Sequence, residues 1–132
     1  MKLHTIDSRT LLSTLWAFVL FNMVFRDLHQ FLNHDALQAM IEMDLAQEQV
    51  LLYAFVLEIP IAMVLLSRLL PPQANRWANL GAVSLTLLGL LSTLPTADLD
   101  DIFFMVIKAA ALLAIARLAW GGLALPLQRQ TA

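Results

Sequence analysis

Leu51 to Leu70 reads LLYAFVLEIPIAMVLLSRLL. The run matches the roughly 20 apolar residues that an α-helix needs to cross the hydrocarbon core of a bilayer. Glu58 falls near its middle and Pro60 just after it. A carboxyl group at that depth is costly and marks a site or a pairing. Proline removes one backbone bond, here the one to the carbonyl of Val56, and kinks the helix. Membrane helices tolerate this when neighbouring groups satisfy the freed carbonyl.

The rest of the chain agrees with a membrane reading. Of its 132 residues, 60% are hydrophobic and 14% are charged. A soluble domain is nearer half apolar and about a quarter charged. A chain this short has too much surface for its volume to hide that apolar excess, so lipid must cover it. One domain is expected at this length. The chain has no cysteine, which excludes disulfides, thiolate metal sites, iron–sulfur clusters and cysteine-pair redox chemistry. Lys2 and Arg9 precede an apolar run, as in a signal peptide. No small-residue cleavage site follows Phe25, and a first membrane helix is the better reading.

Taken in order, the chain predicts four spans, at about 10–32, 48–70, 77–94 and 102–123. Residues 35–47 read either as a short amphipathic segment at the outer surface, with Leu37, Ile41 and Leu45 four apart, or as an ordinary acidic loop or helix extension. Pro71-Pro72 ends the second span, and PPQANRW predicts a tight turn before the third. The third span has no ionisable side chain and presents a stripe of Ala78, Ala82, Gly89 and Ser92, small residues that let helices approach closely in lipid. Asp100 and Asp101 precede the fourth span, a favourable place for acids on the helix dipole. The expected fold is an all-α membrane protein, an antiparallel up-down bundle of four transmembrane helices in a single domain.

Charge sets an orientation. Lys2, Arg9, Arg68, Arg76, Arg117 and Arg129 fall at one end of the spans. Asp35, Glu42, Asp44, Glu48, Asp98, Asp100 and Asp101 fall at the other, with Arg26 the one exception. Both termini are expected on the cytoplasmic side, and the acidic loops face outward, in a bacterial inner membrane.

Depth then singles out candidate residues. At about 1.5 Å per residue, Glu58 lies roughly 15 Å below the outer surface and Lys108 roughly 10 Å below it. Arg26 and Asp27 lie closer to that surface. Asn22, Arg26 and His29 share a helix face, and so do Leu51, Ala54, Phe55 and Glu58, with Tyr53 pointing away. The expected site is an outer-half cluster in which Arg26 and Lys108 face Glu58 and Asp27, with Asn22 and His29 beside Arg26. Such a cluster either clasps the helices together or binds a small molecule or ion. His29, His34, Asp35 and Asp27 match no defined metal-ligand spacing. The second, third and fourth spans have no histidine for haem. No phosphate loop or nucleophile elbow occurs. No metal, cofactor or nucleic acid is expected. The expected partners are the bilayer, a small-molecule or ion ligand, and a homo-oligomer or larger membrane complex.

The runs LWAFVLFNMVFRDLHQFL (Leu15 to Leu32) and EIPIAMVLLSRLLPPQANRWANL (Glu58 to Leu80) resemble an uncharacterised bacterial family of small four-helix membrane proteins, similar in architecture to the wider DoxX-like group. The resemblance implies the fold and topology and assigns no activity. It also implies an acidic residue within the fourth span, where this chain has Lys108. Three functions follow as alternatives: a small-molecule or ion carrier or binder, a non-catalytic accessory or assembly subunit, and a quinone- or lipid-linked enzyme with Glu58 as acid or base.

Overall fold

The computed structural model describes residues 7–121. Lys2, Arg129 and the last two residues of the expected fourth span lie outside the described residues.

The described chain is helical: α1 Ser8–Gln30, α2 His34–Glu42, α3 Gln47–Leu69, α4 Pro72–Ser92 and α5 Leu99–Gly121, with one 3-10 turn at Leu94–Thr96 between the last two. Four of these, α1, α3, α4 with its 3-10 extension, and α5, are long and apolar enough to cross a membrane. The boundaries follow local chemistry. Asn33 does not simply stop the first helix. Its side chain accepts hydrogen bonds from the backbone N–H groups of Asp35 (3.1 Å) and Ala36 (3.4 Å), capping α2. That helix ends at Glu42, short of the expected 47, and buries none of its residues.

The largest departure is at PPQANRW. It is not a loop, because α4 begins at Pro72. A proline at the first helical position gives up an N–H that would be unpaired there anyway, and its fixed φ is already helical. The same prolines create a debt on α3. The carbonyl of Ser67 would normally accept from the N–H of residue 71, which is a proline. The Asn75 side-chain amide reaches back and donates to that carbonyl instead, at 2.7 Å. The turn is therefore closed by a side chain one helical turn into α4.

The four long helices pack in a ring: α1 against α3 and α5, and α4 against α3 and α5. The start of α1 meets the end of α3, where the Ser13 hydroxyl donates to the Val64 carbonyl at 2.7 Å. The end of α1 meets the start of α5, where Arg26 reaches Asp101. The centre holds Leu12, Trp16 and Val19 of α1, Met63 of α3, Ala82 and Val83 of α4, and Leu112 and Ile115 of α5. Phe21, Phe25, Phe55, Leu65, Leu88, Phe103 and Leu113 stand exposed around the outside. That belt far exceeds what a water-soluble monomer shows.

Within the core runs a polar thread. The Trp16 indole N–H donates to Asn79 Oδ1 at 2.7 Å. The Asn79 amide donates to the Asn75 carbonyl (2.8 Å) and to Asn75 Oδ1 (2.6 Å). Ser67 Oγ also donates to Asn79 Oδ1, at 3.4 Å. These polar groups are buried and bonded to one another, as an apolar surrounding demands. Pro60 is buried too, inside a continuous α3.

Candidate functional site

Between the helices, towards the end that carries the acidic loops, lies a partly open cavity of about 410 Å³. All four long helices line it: Met23, Arg26 and Asp27 from α1, Tyr53 and Val56 among others from α3, Thr86 and Gly89 from α4, and Lys108 and Leu112 from α5. A Cβ added at Gly89 would stand 3.8 Å from Val56 Cγ1, an ordinary contact, so this wall has room for a methyl group.

Lys108 reaches this place because of its position on α5. Asp101, Met105, Lys108, Leu112, Ile115 and Ala119 recur at three- and four-residue spacing and form the buried face of that helix. Lys108 is 8% exposed, and it has no ion pair or hydrogen bond among the described residues. Its amine is nevertheless absent from the sealed, unpaired polar atoms, of which Arg76 Nε is the one case among the described residues. The Lys108 Nζ therefore opens onto the cavity that the residue lines.

Arg26 is differently placed. Its Nε donates to Asp101 Oδ1 at 2.8 Å, and its Nη1 approaches Asp27 Oδ1 at 3.5 Å. Gln30 Nε2 adds a longer bond to the same Asp101 oxygen, at 3.5 Å. The Asp101 side chain is nearly enclosed and that of Arg26 is a quarter exposed. Asp27 is more than half exposed. The guanidinium is thus in direct contact with two carboxylates, while among the described residues the Lys108 amine contacts none.

Of the residues singled out from sequence, Arg26, Asp27 and Lys108 come together around the cavity. Glu58 does not join them. It is exposed on the outer side of α3, in a shallow depression with Leu51, Ala54 and Phe55, and makes no ion pair among the described residues. The grouping of those four on one face is right; the face points out of the bundle, so Glu58 cannot be the partner of Arg26. Asp101 takes that role. Tyr53, on the other side of α3, lines the cavity instead. Asn22 turns back on its own helix and donates to the Phe18 carbonyl at 2.9 Å. His29 Nε2 lies 3.4 Å from Asp100 Oδ2, with both side chains about half exposed. Among the described residues, no three His, Asp or Glu side chains gather closely enough to hold a metal ion.

Two features had a legible signal that the sequence reading passed over. Asn75, Asn79, Ala82 and Thr86 follow the i, i+4, i+7, i+11 spacing of one helix face, which marks the inward side of α4 and places Thr86 at the cavity. Asp101 and Lys108 stand two turns apart on α5, so an inward Lys108 brings Asp101 inward too.

These features define a small all-helical protein whose four long helices suit a membrane and whose interior holds a part-polar cavity. The chain belongs to a family of unknown function, DUF6326, whose model matches residues 1–121. No curated protein and no solved structure matches it.

Proposed function

We propose that this chain is an integral protein of the bacterial inner membrane that binds, and passes or presents, a small molecule or ion through the cavity at Arg26, Asp27 and Lys108. The carrying observation is the buried Lys108, without an ion pair or hydrogen bond among the described residues, lining a cavity near the acidic-loop end of four helices long and apolar enough to cross a membrane. Ionisable groups are retained inside membrane spans chiefly where they serve a ligand path or a pairing, and Lys108 makes no direct ion pair among the described residues. The proposed arrangement is an antiparallel up-down bundle with α2 at the outer surface, similar to DoxX-like proteins. Its support is the charge distribution: Arg9, Arg68, Arg76 and Arg117 lie at one end and the acidic loops at the other.

A cysteine-free chain allows a direct test. Thr86 lines the cavity about six residues, or roughly 9 Å, inward from the end of α4. In intact cells, a single Thr86→Cys should react with a small membrane-impermeant thiol reagent, while Ser84→Cys on the exposed face of α4 should not. Equal silence at both positions would remove the open cavity.

A second reading, an accessory subunit of a larger membrane complex, is favoured by one observation. Glu58 is exposed in the middle of a span, where a partner helix with a donor would relieve its cost. It predicts that a larger membrane protein co-purifies with the wild-type chain and is lost in Glu58→Leu.

A further inference from the structure

We infer that the cavity's ligand is a single-chain lipophilic carboxylate, seated with its anionic head on Lys108 and its hydrocarbon tail along the apolar wall. The inference rests on the cavity reading above and sharpens it to a chemical class.

Charge is the first argument. As an ammonium, Lys108 carries three N–H donors and no acceptor, and none of those donors is used among the described residues. The nearby carboxylates are turned elsewhere: Asp101 and Asp27 both meet Arg26. A neutral acceptor such as an alcohol or carbonyl would satisfy one donor yet leave the ammonium without a direct ion pair, sharing with Arg26 the more distant Asp27 and Asp101. An anion removes both costs at once.

The second argument selects among anions. Phosphate and sulfate heads are best held by the planar fork of an arginine, which grips two oxygens together. The one guanidinium that lines this cavity among the described residues is already engaged by Asp101 and approached by Asp27. A lone ammonium suits a head of one charge and few oxygens. Inorganic anions fit poorly as well, because Met23, Val56 and Leu112 replace hydration with hydrocarbon. Those same side chains favour an alkyl tail, since every methylene moved from water onto them adds to binding. The volume, about 410 Å³, is at the lower end of small-molecule pockets, roughly 300–1,000 Å³, so one chain fits better than two.

The experiment uses the full chain with Thr86→Cys in proteoliposomes. The rate of modification by neutral N-ethylmaleimide is read in the presence of decanoate, decanol, decylammonium or decyl phosphate. Decanoate should slow the modification at a concentration at least tenfold below that needed of each of the other three. Lys108→Gln should erase the advantage of decanoate over decanol, and Lys108→Arg should keep part of it. If decanol or decyl phosphate protects as well as decanoate, the carboxylate assignment is overturned while the cavity stands. If Thr86→Cys never reacts, the cavity reading falls with it. The head-group comparison is made with Lys108 in place, so it decides the question even where Lys108→Gln fails to accumulate.

Discussion

Asn75 shows how a single side chain can complete a backbone. The Ser67 carbonyl lies opposite Pro71, which has no N–H to offer, and the Asn75 amide supplies the missing donor at 2.7 Å. Removing that amide strands a buried acceptor. A buried unsatisfied group costs about 1–3 kcal/mol, with hydrogen bonds in membranes nearer the low end. Asn75→Ala should therefore lower stability by about 1 kcal/mol in a detergent unfolding titration, while exposed Gln73→Ala should change it by less than half that amount. Equal behaviour of the two variants would contradict the account of the turn. The Arg26–Asp101 pair makes a second case. Asp101→Ala leaves Arg26 with only the longer 3.5 Å contact to Asp27, and should cost on the order of 2 kcal/mol, since the lost bond joins two charged groups. Asp27→Ala should cost much less, because its carboxylate is more than half exposed. The importance of Asp101 was hard to read in advance. An acid in the first turn of a helix already has a sufficient local reason to be there, and nothing local points to a guanidinium 75 residues away in sequence.

Helix α3 explains why the spans were legible and their facing was not. Its length and composition announce a membrane span. Its inward side, with Pro60, Met63 and Ser67 buried, is no more apolar than the side that carries Leu51, Phe55 and Leu65. In a soluble helix the polar face meets water and betrays the orientation; in a lipid-covered helix both faces are apolar. Glu58 was the one polar mark on α3 at mid-depth, and the general rule that such groups face inward pointed it the wrong way. Lys108 does lie inside, and its neighbours Met105, Ala111 and Leu112 at three- and four-residue spacing are buried with it. Where polar residues repeat along a face, as Asn75, Asn79 and Thr86 do on α4, the inward side can be read directly. Glu58→Leu tests the facing of α3. With the side chain outside the bundle, the variant should fold with undiminished thermal stability and keep the Thr86→Cys reactivity of the parent within twofold. A loss of folded protein would show that Glu58 packs inside.

At the scale of the molecule, one end of the helix ring is closed by buried polar contacts and the other holds a partly open cavity. The closed end is tied by Trp16, Asn79, Asn75 and Ser67, and by Arg68, whose Nε donates to Ser13 Oγ at 3.2 Å. The Arg76 guanidinium stacks there over the Trp120 ring, 4.4 Å from its centroid. The open end holds the cavity and the acidic loops. On the proposed orientation, Gln38→Cys on α2 should be modified from outside intact cells, and Gln73→Cys at the α3–α4 turn only after the membrane is opened. The reverse pattern would invert the topology and with it the side from which a ligand enters.

The central claim is that the Lys108 amine, without a direct ion pair among the described residues, faces a cavity open to the outer side. It is tested most directly by the rates at which two impermeant thiol reagents of similar size, one with a sulfonate and one with a trimethylammonium group, modify Thr86→Cys in whole cells. The account predicts that the sulfonate reagent reacts several times faster, and that Lys108→Gln brings the two rates together. A faster trimethylammonium reagent, or a ratio that Lys108→Gln leaves unchanged, would contradict it.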